Sequence, residues 1–578
     1  MEKKKKTLLQ FVYILRNFSL REKILFFVLA AIFIISFLLI LWKISSYYSV
    51  EIPARGGTLN EGIIGTPRFI NPLLAISDAD RDLSTLVYSG LMRPDNKGGL
   101  IPDLAEKFEI SQDGLSYTFT LRPDLVWQDN EPITSDDIIF TVQQAKDSQL
   151  KSSKRANWEG VEVEKINDRE IRFVLKKPYT PFLENTTLGI LPKHIWKGAV
   201  SEQMSFSEFN IKPVGSGPYE VKNINRDSSG IVTSYELDAS KNFSLGKPFI
   251  KSLIIRFYPS EKDFLSAFQR GEIESISAVN PSLLEKIKRN GFFVKTPSLP
   301  RVFGVFFNQN NAKIFTQKEV RDAIGLATDK KRIIDEVLQG FGVKLDYPIP
   351  PGIFGALSEE KDNFSVDKAK EILQKNNWTF NEGEKVWEKA IGSGKKKEIT
   401  RLEFSLSTSD SPELKQTGEL LKNMWENLGA KVNLKIFEIG DLNQNVIRPR
   451  KYDTLLFGEV VGRDPDPFAF WHSSQRNDPG LNIALYANIK VDKLLEETRA
   501  ISDETVRREK YEEFQKEVAQ DAPAIFLFSP KFIYLLPNYL GGVNEMESII
   551  IPSERFSQIY KWYLKTDNVW KIFAKKGK

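Results

Sequence analysis

Residues 103–142 read DLAEKFEISQDGLSYTFTLRPDLVWQDNEPITSDDIIFTV and carry the most informative local pattern in the chain. Asp113-Gly114 is a tight-turn dipeptide between two runs in which apolar residues alternate, a pattern that predicts a β-hairpin. After the turn, Tyr117, Phe119 and Leu121 alternate and would lie on one face of a strand. The first half of this stretch therefore predicts two antiparallel strands.

The second half of the stretch predicts a loop followed by a helix. Trp127 lies in the predicted loop. Thr134 supplies a hydroxyl cap, and Asp137 places a carboxylate three residues on, near the positive end of the helix dipole. The stretch as a whole thus predicts a hairpin, a tryptophan-bearing loop and a capped helix.

Length and composition limit the class of protein. At 578 residues the chain is too long for one hydrophobic core, so two or three lobes are expected. The net charge of +5 is small, and much of it lies in the terminal clusters 3–6 and 575–578, which argues against a nucleic-acid partner. The absence of cysteine excludes disulfides, thiolate metal sites and lipid attachment to an N-terminal cysteine.

Residues 24–42, from Ile24 to Trp42, are nineteen residues without a charge. A helix of this length spans about 28 Å, close to the thickness of the hydrocarbon core of a bilayer. Basic residues up to Lys23 precede it and only Lys43 follows closely, so the rest of the chain is predicted outside the plasma membrane, in the periplasm or at the cell surface. A cleaved signal peptide is the alternative. The long leading region and the lack of an A-x-A-like site favour an uncleaved single-pass anchor.

The second half of the chain alternates strands with helices. Strands are predicted at 302–308, 402–406, 432–437 and 454–458, and a helix begins at Pro412 and ends before Gly429. This order predicts a mainly parallel sheet with helices on both faces. Residues 361–397 form a charged insertion around Trp378 and Trp387, which we interpret as a surface helix with a loop.

Ligands of open parallel sheets bind at the carboxyl ends of the strands. The loop 459–467 follows one such strand, and its Glu459 and Arg463, together with Arg68, are the loop charges that we expect to contact a ligand. Trp127, Phe303 and Trp471 lie in or near loops at predicted strand ends and would line a cleft. Burial in the core is the alternative for each of them.

No catalytic or metal site is predicted, and the protein is interpreted as a non-enzyme without a cofactor. The chain has two histidines, His194 and His472, and no G-x-S-x-G motif. A hydrolase that uses His472 stays a rival hypothesis. Asp464 and Asp466 could bind a cation, but paired acids in such turns more often hold their own backbone.

The order and the amino-acid sequences of these motifs resemble those of the solute-binding family 5 proteins, the extracytoplasmic oligopeptide- and dipeptide-binding proteins of ABC importers. The resemblance includes 103–142, the PVGSGPY turn at 213–219, the DPDP motif at 464–467 and Asn482. It extends from about Gly56 to Lys571, which is nearly all of the chain beyond the apolar segment.

The resemblance implies an α/β, two-lobed periplasmic-binding-protein type II fold with an extra subdomain in the first lobe, preceded by one transmembrane helix. The cleft between the lobes would close on a ligand, and the closed form would dock on an ABC permease. The implied division is a cytoplasmic basic segment 1–23, an anchor 24–42, a linker 43–55, a first lobe 56–305 with a subdomain near 88–214, a second lobe 306–520, a return to the first lobe 521–571 and a basic tail 572–578.

One position departs from the family. In its peptide-binding members an aspartate three residues before the first Asp of the DPD motif holds the α-amine of the ligand, and here that position is Val461. Glu459 would replace it if the loop backbone shifts. The ligand could therefore be a longer or blocked peptide, or a non-peptide solute.

Together these observations predict a monomeric, membrane-anchored solute-binding protein that delivers a peptide-like ligand to an ABC importer. A surface receptor without transport is the principal alternative. The candidate ligand-binding residues are Arg68, Asn71, Trp127, Phe303, Gly458, Glu459, Val461, Arg463, Asp466, Trp471 and Asn482.

Overall fold

The computed structural model describes residues 18–95, 97–288, 290–357, 364–391, 398–543, 546–570 and 572. These residues fall into two compact units. The small unit comprises the described residues of Met1–Gly56 and Tyr563–Lys578, and the large unit is Gly57–Trp562. The segments 1–17 and 573–578, which contain most of the predicted basic ends, lie outside the described residues.

The small unit joins a long apolar helix to a two-stranded sheet. The helix Leu20–Tyr48 is long and apolar enough to cross a membrane. It begins at Ser19, whose backbone N–H donates to the Glu22 carboxylate at 2.8 Å. The strand Ser49–Ala54 follows directly and pairs antiparallel with Lys565–Trp570.

This arrangement corrects two predicted boundaries. The expected linker 43–55 is regular structure, because the helix continues through Tyr48 and the β-branched Val50 and Ile52 then enter a strand. The strand Lys565–Trp570 had been assigned to the returning first lobe, and it pairs with the former linker instead.

The first lobe is built on a sheet in which Thr58–Ile64 is central and runs parallel to both of its neighbours. Helix Glu261–Arg270 packs Phe264 and Phe268 into the core, and it ends at Gly271 with a φ of +76°. The strand order of this sheet is Phe292–Lys295, Tyr534–Pro537, Ser275–Ser277, Thr58–Ile64, Ser252–Tyr258, Val232–Ala239 and Tyr219–Arg226.

The subdomain inserted in the first lobe contains the hairpin and the helix that residues 103–142 predicted. The predicted hairpin is formed by Ala105–Ile110 and Ser116–Leu121, and its three alternating apolar residues are buried. Helix Ser135–Lys146 begins where the Thr134 N–H donates to the Asp137 carboxylate at 2.9 Å. The four-stranded sheet has the order Ala105–Ile110, Ser116–Leu121, Glu170–Leu175 and Val161–Asn167.

Shorter elements complete the first lobe. They are the strand pair Met92–Pro94 and Leu100–Pro102, the helices Asp78–Val87, Arg155–Trp158, Phe182–Asn185, Lys193–Trp196 and Pro281–Leu284, and the 3-10 turns Ser201–Phe206, Glu208–Asn210, Pro552–Phe556 and Ile559–Lys561.

The sheet of the second lobe is mixed, so the prediction of a mainly parallel sheet is wrong. Its strand order is Gly342–Lys344, Ala524–Pro530, Arg301–Phe307, Thr454–Val460, Glu403–Ser409 and Lys431–Phe437. Only the last three of these strands run parallel to one another. The other pairings are antiparallel. Strands covered on both faces are apolar in either direction, so their composition does not report their orientation.

Helices cover both faces of this mixed sheet. One core packs the helices Lys318–Leu326, Lys330–Val337 and Pro412–Leu428 against it, and the last of these ends at Gly429 as predicted. The opposite core packs Ile489–Ala500 and Glu504–Asp521. The short helices Ile439–Asp441 and Phe468–Trp471, the π-helical turn Leu442–Ile447 and the 3-10 turns Lys313–Thr316 and Ser473–Gln475 complete the lobe.

Residues 364–391, the described part of the charged insertion at 361–397, contain strands in addition to the predicted surface helix. They form the helix Val366–Lys375 and contribute Thr379–Asn381 and Val386–Ile391 to a three-stranded sheet that Glu398–Arg401 completes. Trp378 and Trp387 are buried in the core of the second lobe, and the Trp387 indole N–H donates to the Leu428 carbonyl at 2.8 Å. The predicted helix is present, whereas the two tryptophans, expected in a surface insertion, are buried.

The second sheet also shifts the expected lobe boundaries. Arg301–Phe307 and Ala524–Pro530 lie side by side in it, with Phe303 opposite Phe528. This sheet thus includes residues just outside the predicted bounds 306–520, and we propose that the second lobe extends from about residue 301 to about 530. We infer that the chain crosses between the lobes near Ser298 and Lys531, which form an isolated antiparallel bridge.

A buried ion network fastens the returning chain to the first lobe. The Arg555 guanidinium donates to both Asp82 oxygens at 2.8 and 2.6 Å and to Glu61 Oε1 at 3.2 Å. The Tyr534 hydroxyl donates to Glu61 at 2.9 Å. Arg555 is 1% exposed. The network joins the central strand, the helix Asp78–Val87 and the C-terminal part of the lobe.

Replacing Arg555 by Met should lower the free energy of unfolding by about 3–5 kcal/mol, because two buried carboxylates would lose their cation. Urea unfolding of the full chain in detergent micelles measures this difference. The control is Arg270→Met, which removes an exposed arginine paired with Glu272 and should change stability little. Equal effects of the two substitutions would contradict a structural role for the network.

Candidate functional site

The loop that follows strand Thr454–Val460 joins the two lobes. Asp464 Oδ2 lies 2.6 Å from Arg507 Nη1, and the same nitrogen donates to Thr180 Oγ1 at 2.5 Å. Thr180 belongs to the inserted subdomain, whereas Arg507 lies on helix Glu504–Asp521 of the second lobe. One guanidinium therefore connects the DPDP motif to the first lobe.

A second arginine makes a parallel connection. Arg499 binds Asp466 through two nitrogens at 2.8 and 2.6 Å, and its backbone carbonyl accepts from the Thr180 N–H at 3.2 Å. The Tyr179 hydroxyl donates to Asp466 at 3.3 Å. The guanidinium lies 3.9 Å from the centre of the Phe468 ring, a cation–π contact. Asp466 thus holds two groups that meet at the lobe boundary.

Arg463 makes the third connection. It pairs with Glu184 of the inserted subdomain and, at 2.7 Å, with Glu554 of the returning segment. We call Arg463, Arg499 and Arg507, with the carboxylates that they bind, the interlobe clamp.

Burial shapes the electrostatics of the clamp. Burial raises the pKa of Glu184 to about 7, an effect that Arg463 opposes and Glu554 reinforces. Burial also raises the pKa of Asp464 above its usual range, and Arg507 opposes that shift. The clamp therefore holds acids that ionise less readily than exposed ones, so its charge depends on pH.

The inserted subdomain, which contains residues 103–142, positions the first-lobe residues that contact the clamp. Phe182 packs on Tyr117 and Phe173, with ring centroids 4.8 and 5.5 Å apart. The Tyr117 hydroxyl donates to the Tyr179 carbonyl at 3.2 Å. Packing against the predicted hairpin thus sets the position of Tyr179, Thr180 and Glu184.

Glu459 is a buried carboxyl without a hydrogen-bond partner for its Oε1 atom among the described residues. It lies opposite Val302 in the central pairing of the second sheet and is 4% exposed. Burial raises its pKa well above the usual value. An unsatisfied buried polar atom is costly, so Glu459 is suited to bind a hydrogen-bond donor of a ligand.

Gly458 and Phe303 have a packing role. The Phe303 ring stacks on Phe528 with centroids 5.1 Å apart. A Cβ atom at Gly458 would lie 2.6 Å from the Phe303 ring, so this close approach requires glycine. Val461, at the position of the family aspartate, donates its N–H to the Pro300 carbonyl and packs against the core.

Several candidate residues are held by packing or local hydrogen bonds. Trp471 is 1% exposed and packs near Phe306 and Phe526. The Asn482 amide donates to the carbonyls of His472 and Tyr486. Both side chains therefore have contacts typical of core residues.

The candidates of the first lobe are not brought into the clamp. Asn71 is buried, and its side chain accepts from the Leu73 N–H and donates to Asn210. Trp127 is completely buried. Arg68 is exposed, and its backbone N–H donates to Asp80 at 2.6 Å. The structure thus unites Arg463 and Asp466 of the candidate set, with Glu459 and Val461 nearby in the chain.

The sequence analysis missed most of the clamp. Arg499 and Arg507 lie on long helices, Glu184 lies on a four-residue helix and Glu554 lies in a 3-10 turn. Charged residues at such positions are ordinarily solvated. The DPDP motif was the one available signal, since two acids beside a strand end require partners. Nothing local to the motif indicates which arginines supply them.

A cavity of about 670 Å³ lies in the second lobe beside Arg321 and Lys330. The Arg321 guanidinium donates to three backbone carbonyls, and Lys330 pairs with Asp346 at 2.6 Å. These cations are thus already satisfied within the protein.

Each of the two histidines has a hydrogen-bond partner within the protein. His194 Nε2 lies 2.8 Å from Asp129, and His472 Nδ1 lies 2.8 Å from Ser474 Oγ. His472 also stacks on Phe468 with centroids 4.0 Å apart. In the described part of the chain no group of three or more histidine, aspartate or glutamate side chains could hold a metal ion.

Comparisons with known proteins agree with this architecture. The family model of bacterial extracellular solute-binding proteins, family 5 (middle), matches residues 99–481. The oligopeptide-binding protein AppA of Bacillus subtilis is 27% identical over 521 residues, which cover 89% of this chain and 92% of the relative. The nickel-binding periplasmic protein of Escherichia coli is 27% identical over 455 residues, covering 76% of this chain and 82% of the relative.

A solved structure supports the same fold. The structure of Bacillus subtilis AppA in complex with a nonapeptide is similar to this one, with a TM-score of 0.68 and 26% identity. The match covers 89% of this chain and 100% of that chain. The predicted two-lobed fold and the predicted family are confirmed.

The clamp predicts a specific pH dependence of stability. The pKa of Glu184 is about 7 in the folded protein against 4.5 for a free side chain, so the folded form binds this proton more tightly than the unfolded form. The wild-type protein should therefore lose stability from this group as the pH rises from about 5 to about 7.5. Glu184→Gln, which cannot ionise, should remove that part of the loss.

Thermal unfolding across this pH range measures the effect as the slope of the melting temperature against pH. Glu159→Gln, which changes an exposed glutamate of the same subdomain, is the control and should keep the wild-type slope. If Glu184→Gln also keeps that slope, Glu184 does not carry the raised pKa.

Proposed function

Because this chain belongs to the family 5 bacterial extracellular solute-binding proteins, we propose that it captures an extracytoplasmic solute between its lobes and delivers it to an ABC importer. The observation that carries this proposal is the interlobe clamp. Its contacts from Arg463 to Glu184 and Glu554 and from Arg507 to Thr180 exist only when the lobes are together, so they contribute to the equilibrium between open and closed forms. A ligand that binds both lobes would shift that equilibrium toward closure.

The ligand that we propose is peptide-like. Two relatives are named for oligopeptide and dipeptide binding, and the AppA structure contains a nonapeptide. Val461 lacks the carboxylate expected for an α-amine, whereas Glu459 has a buried and unsatisfied Oε1. We propose that Glu459 binds a donor group of the ligand.

A non-peptide solute is the second candidate. Two observations favour it: the valine at position 461 and the relative named for nickel binding. The remaining candidate residues, including Arg68, Phe303 and Asn482, stay proposals as ligand contacts.

The apolar helix is proposed to anchor the protein. Its side chains between Ile24 and Trp42 are largely exposed, as a lipid-facing surface requires. The basic residues before it support a cytoplasmic N-terminus under the positive-inside rule. We propose an uncleaved single-pass anchor, a monomeric state, an ABC permease as partner and no catalytic activity.

Ligand binding should depend on the clamp. A peptide that binds should raise the melting temperature of the wild-type protein by an amount that grows with its concentration over Kd. Arg507→Met removes the connection from Asp464 to Thr180, disfavours closure and should weaken the same peptide by roughly 10-fold or more. Calorimetry at 25 °C, well below unfolding, measures the affinity directly.

Arg508→Met is the matched control, because Arg508 is the next residue on the helix and is exposed. It should bind like the wild type. Equal affinity of the two variants would refute the role of the clamp. If neither peptide pools nor copurified ligands stabilise the wild type, the peptide assignment falls.

Anchoring and transport can be tested in cells. The full chain should remain in the membrane fraction after alkaline extraction and enter solution only with detergent, because its helix spans the bilayer. Intact-mass spectrometry should detect residues 1–23 on the mature protein, and a shorter mass would indicate a cleaved signal peptide. Copurification of a permease, together with loss of uptake on gene deletion, distinguishes an importer subunit from a receptor.

A further inference from the structure

A cavity of about 160 Å³ lies in the first lobe beside the interlobe clamp. Helix Asp78–Val87 lines it with Arg81 and Ser84, and the residue after this helix, Tyr88, lines it as well. Lys154 and the clamp residue Glu554 also face it. Its volume is at least about ten times what one water needs, so it has room for a chemical group of several atoms.

Two hydroxyl groups at this cavity lack partners. Tyr88 and Ser84 are 3% and 8% exposed, and neither Tyr88 Oη nor Ser84 Oγ has a hydrogen-bond partner within the described residues. Buried polar atoms are nearly always satisfied. Unsatisfied hydroxyls on one small cavity therefore indicate a polar group that binds there.

The charge at the cavity is positive in character. Lys154 forms no ion pair with any residue that the structure describes. Burial lowers the pKa of Lys154, and the nearby Arg81 lowers it further. Arg81 pairs with the exposed Asp78 at 3.4 Å.

The carboxylates of the cavity wall are already bound elsewhere. Asp103 pairs with Arg93 at 2.7 Å and accepts from Ser244 at 2.5 Å. Glu554 pairs with Arg463 at 2.7 Å and accepts from the Ile550 N–H at 2.9 Å. Neither acid is therefore a partner for Lys154.

We propose that this cavity binds a carboxylate of the ligand, with Lys154 as its cation and the hydroxyls of Tyr88 and Ser84 as hydrogen-bond donors. The carboxylate is either an acidic side chain or the C-terminus of a peptide-like ligand. Because Glu554 belongs both to the cavity wall and to the clamp, an anion here is bound beside the contact that closes the lobes. This assignment deepens the proposed function and rests on it.

The test compares matched peptides on matched variants. The probes are alanine-based pentapeptides with Glu or Gln at one position, each with a free or an amidated C-terminus. The wild type should bind the acidic or free-carboxylate member about 10-fold more tightly, as expected for a charge-assisted hydrogen bond. A difference in affinity between the Glu and Gln peptides identifies the carboxylate as a side chain. A difference between the free and amidated peptides identifies it as the C-terminus.

Lys154→Met should remove this preference, and Tyr88→Phe should reduce it. Neither substitution breaks an ion pair or a hydrogen bond of the described protein, so both variants should fold normally. Lys151→Met is the control, since Lys151 lies three residues away and is exposed. It should retain the wild-type preference. A wild type that binds both members of every pair equally, or a preference that survives Lys154→Met, would overturn the assignment.

Failure of the proposed function gives a different result. If no peptide of either series binds to the wild type, the peptide assignment fails and the cavity is tested alone with glutarate. Stabilisation by glutarate that is lost in Lys154→Met and kept in Lys151→Met would still support a carboxylate site. No stabilisation by glutarate would overturn the site as well.

Discussion

Ion pairs that are withdrawn from water join the two lobes of this protein. Arg463 and Arg507 of the second lobe are 7% and 8% exposed in their side chains. Arg463 pairs with two glutamates of the first lobe, and Arg507 binds Thr180 of the first lobe as well as Asp464 of its own lobe. A buried charge that loses its partner is far more costly than an exposed one. Such pairs therefore form together or hydrate together, which favours discrete open and closed arrangements. A solute-binding protein needs an equilibrium of this kind for a ligand to bias.

The same chemistry is used differently within a lobe. Arg555, Glu61 and Asp82 are almost completely buried, so their pairs persist as long as the first lobe is folded. Arg499 of the clamp keeps a third of its side chain exposed, and water can replace its partners at a lower cost. The contacts of Arg463 with Glu184 and Glu554 and of Arg507 with Thr180 cross between the lobes, so they can break while the network within the first lobe persists. The cavity beside Lys154 lies where these two kinds of contact meet.

Local elements were predicted well because short-range physics decides them. The hairpin around Asp113-Gly114, the helix start at Thr134 and the helix stop at Gly429 depend on residues within a few positions. The mixed direction of the second sheet was missed, because a strand buried on both faces is apolar whichever way it runs. The prediction of a linker at 43–55 was wrong for a related reason: Ser49–Ala54 forms a strand through its pairing with Lys565–Trp570, a segment distant in sequence. The insertion around Trp387 is ordered by its burial in a distant core.

The sequence by itself determined the apolar helix, the elements of the hairpin subdomain, the resemblance to a family and the acids of the DPDP motif. Only the tertiary structure decided what those acids bind. Asp466 and Asp464 meet arginines 33 and 43 residues away, and Arg463 meets a glutamate 279 residues away. Charged side chains are common on every surface, so their chemistry restricts the possible partners without selecting one. The selection follows from which surfaces the packed lobes bring together, and that depends on contacts across the whole chain.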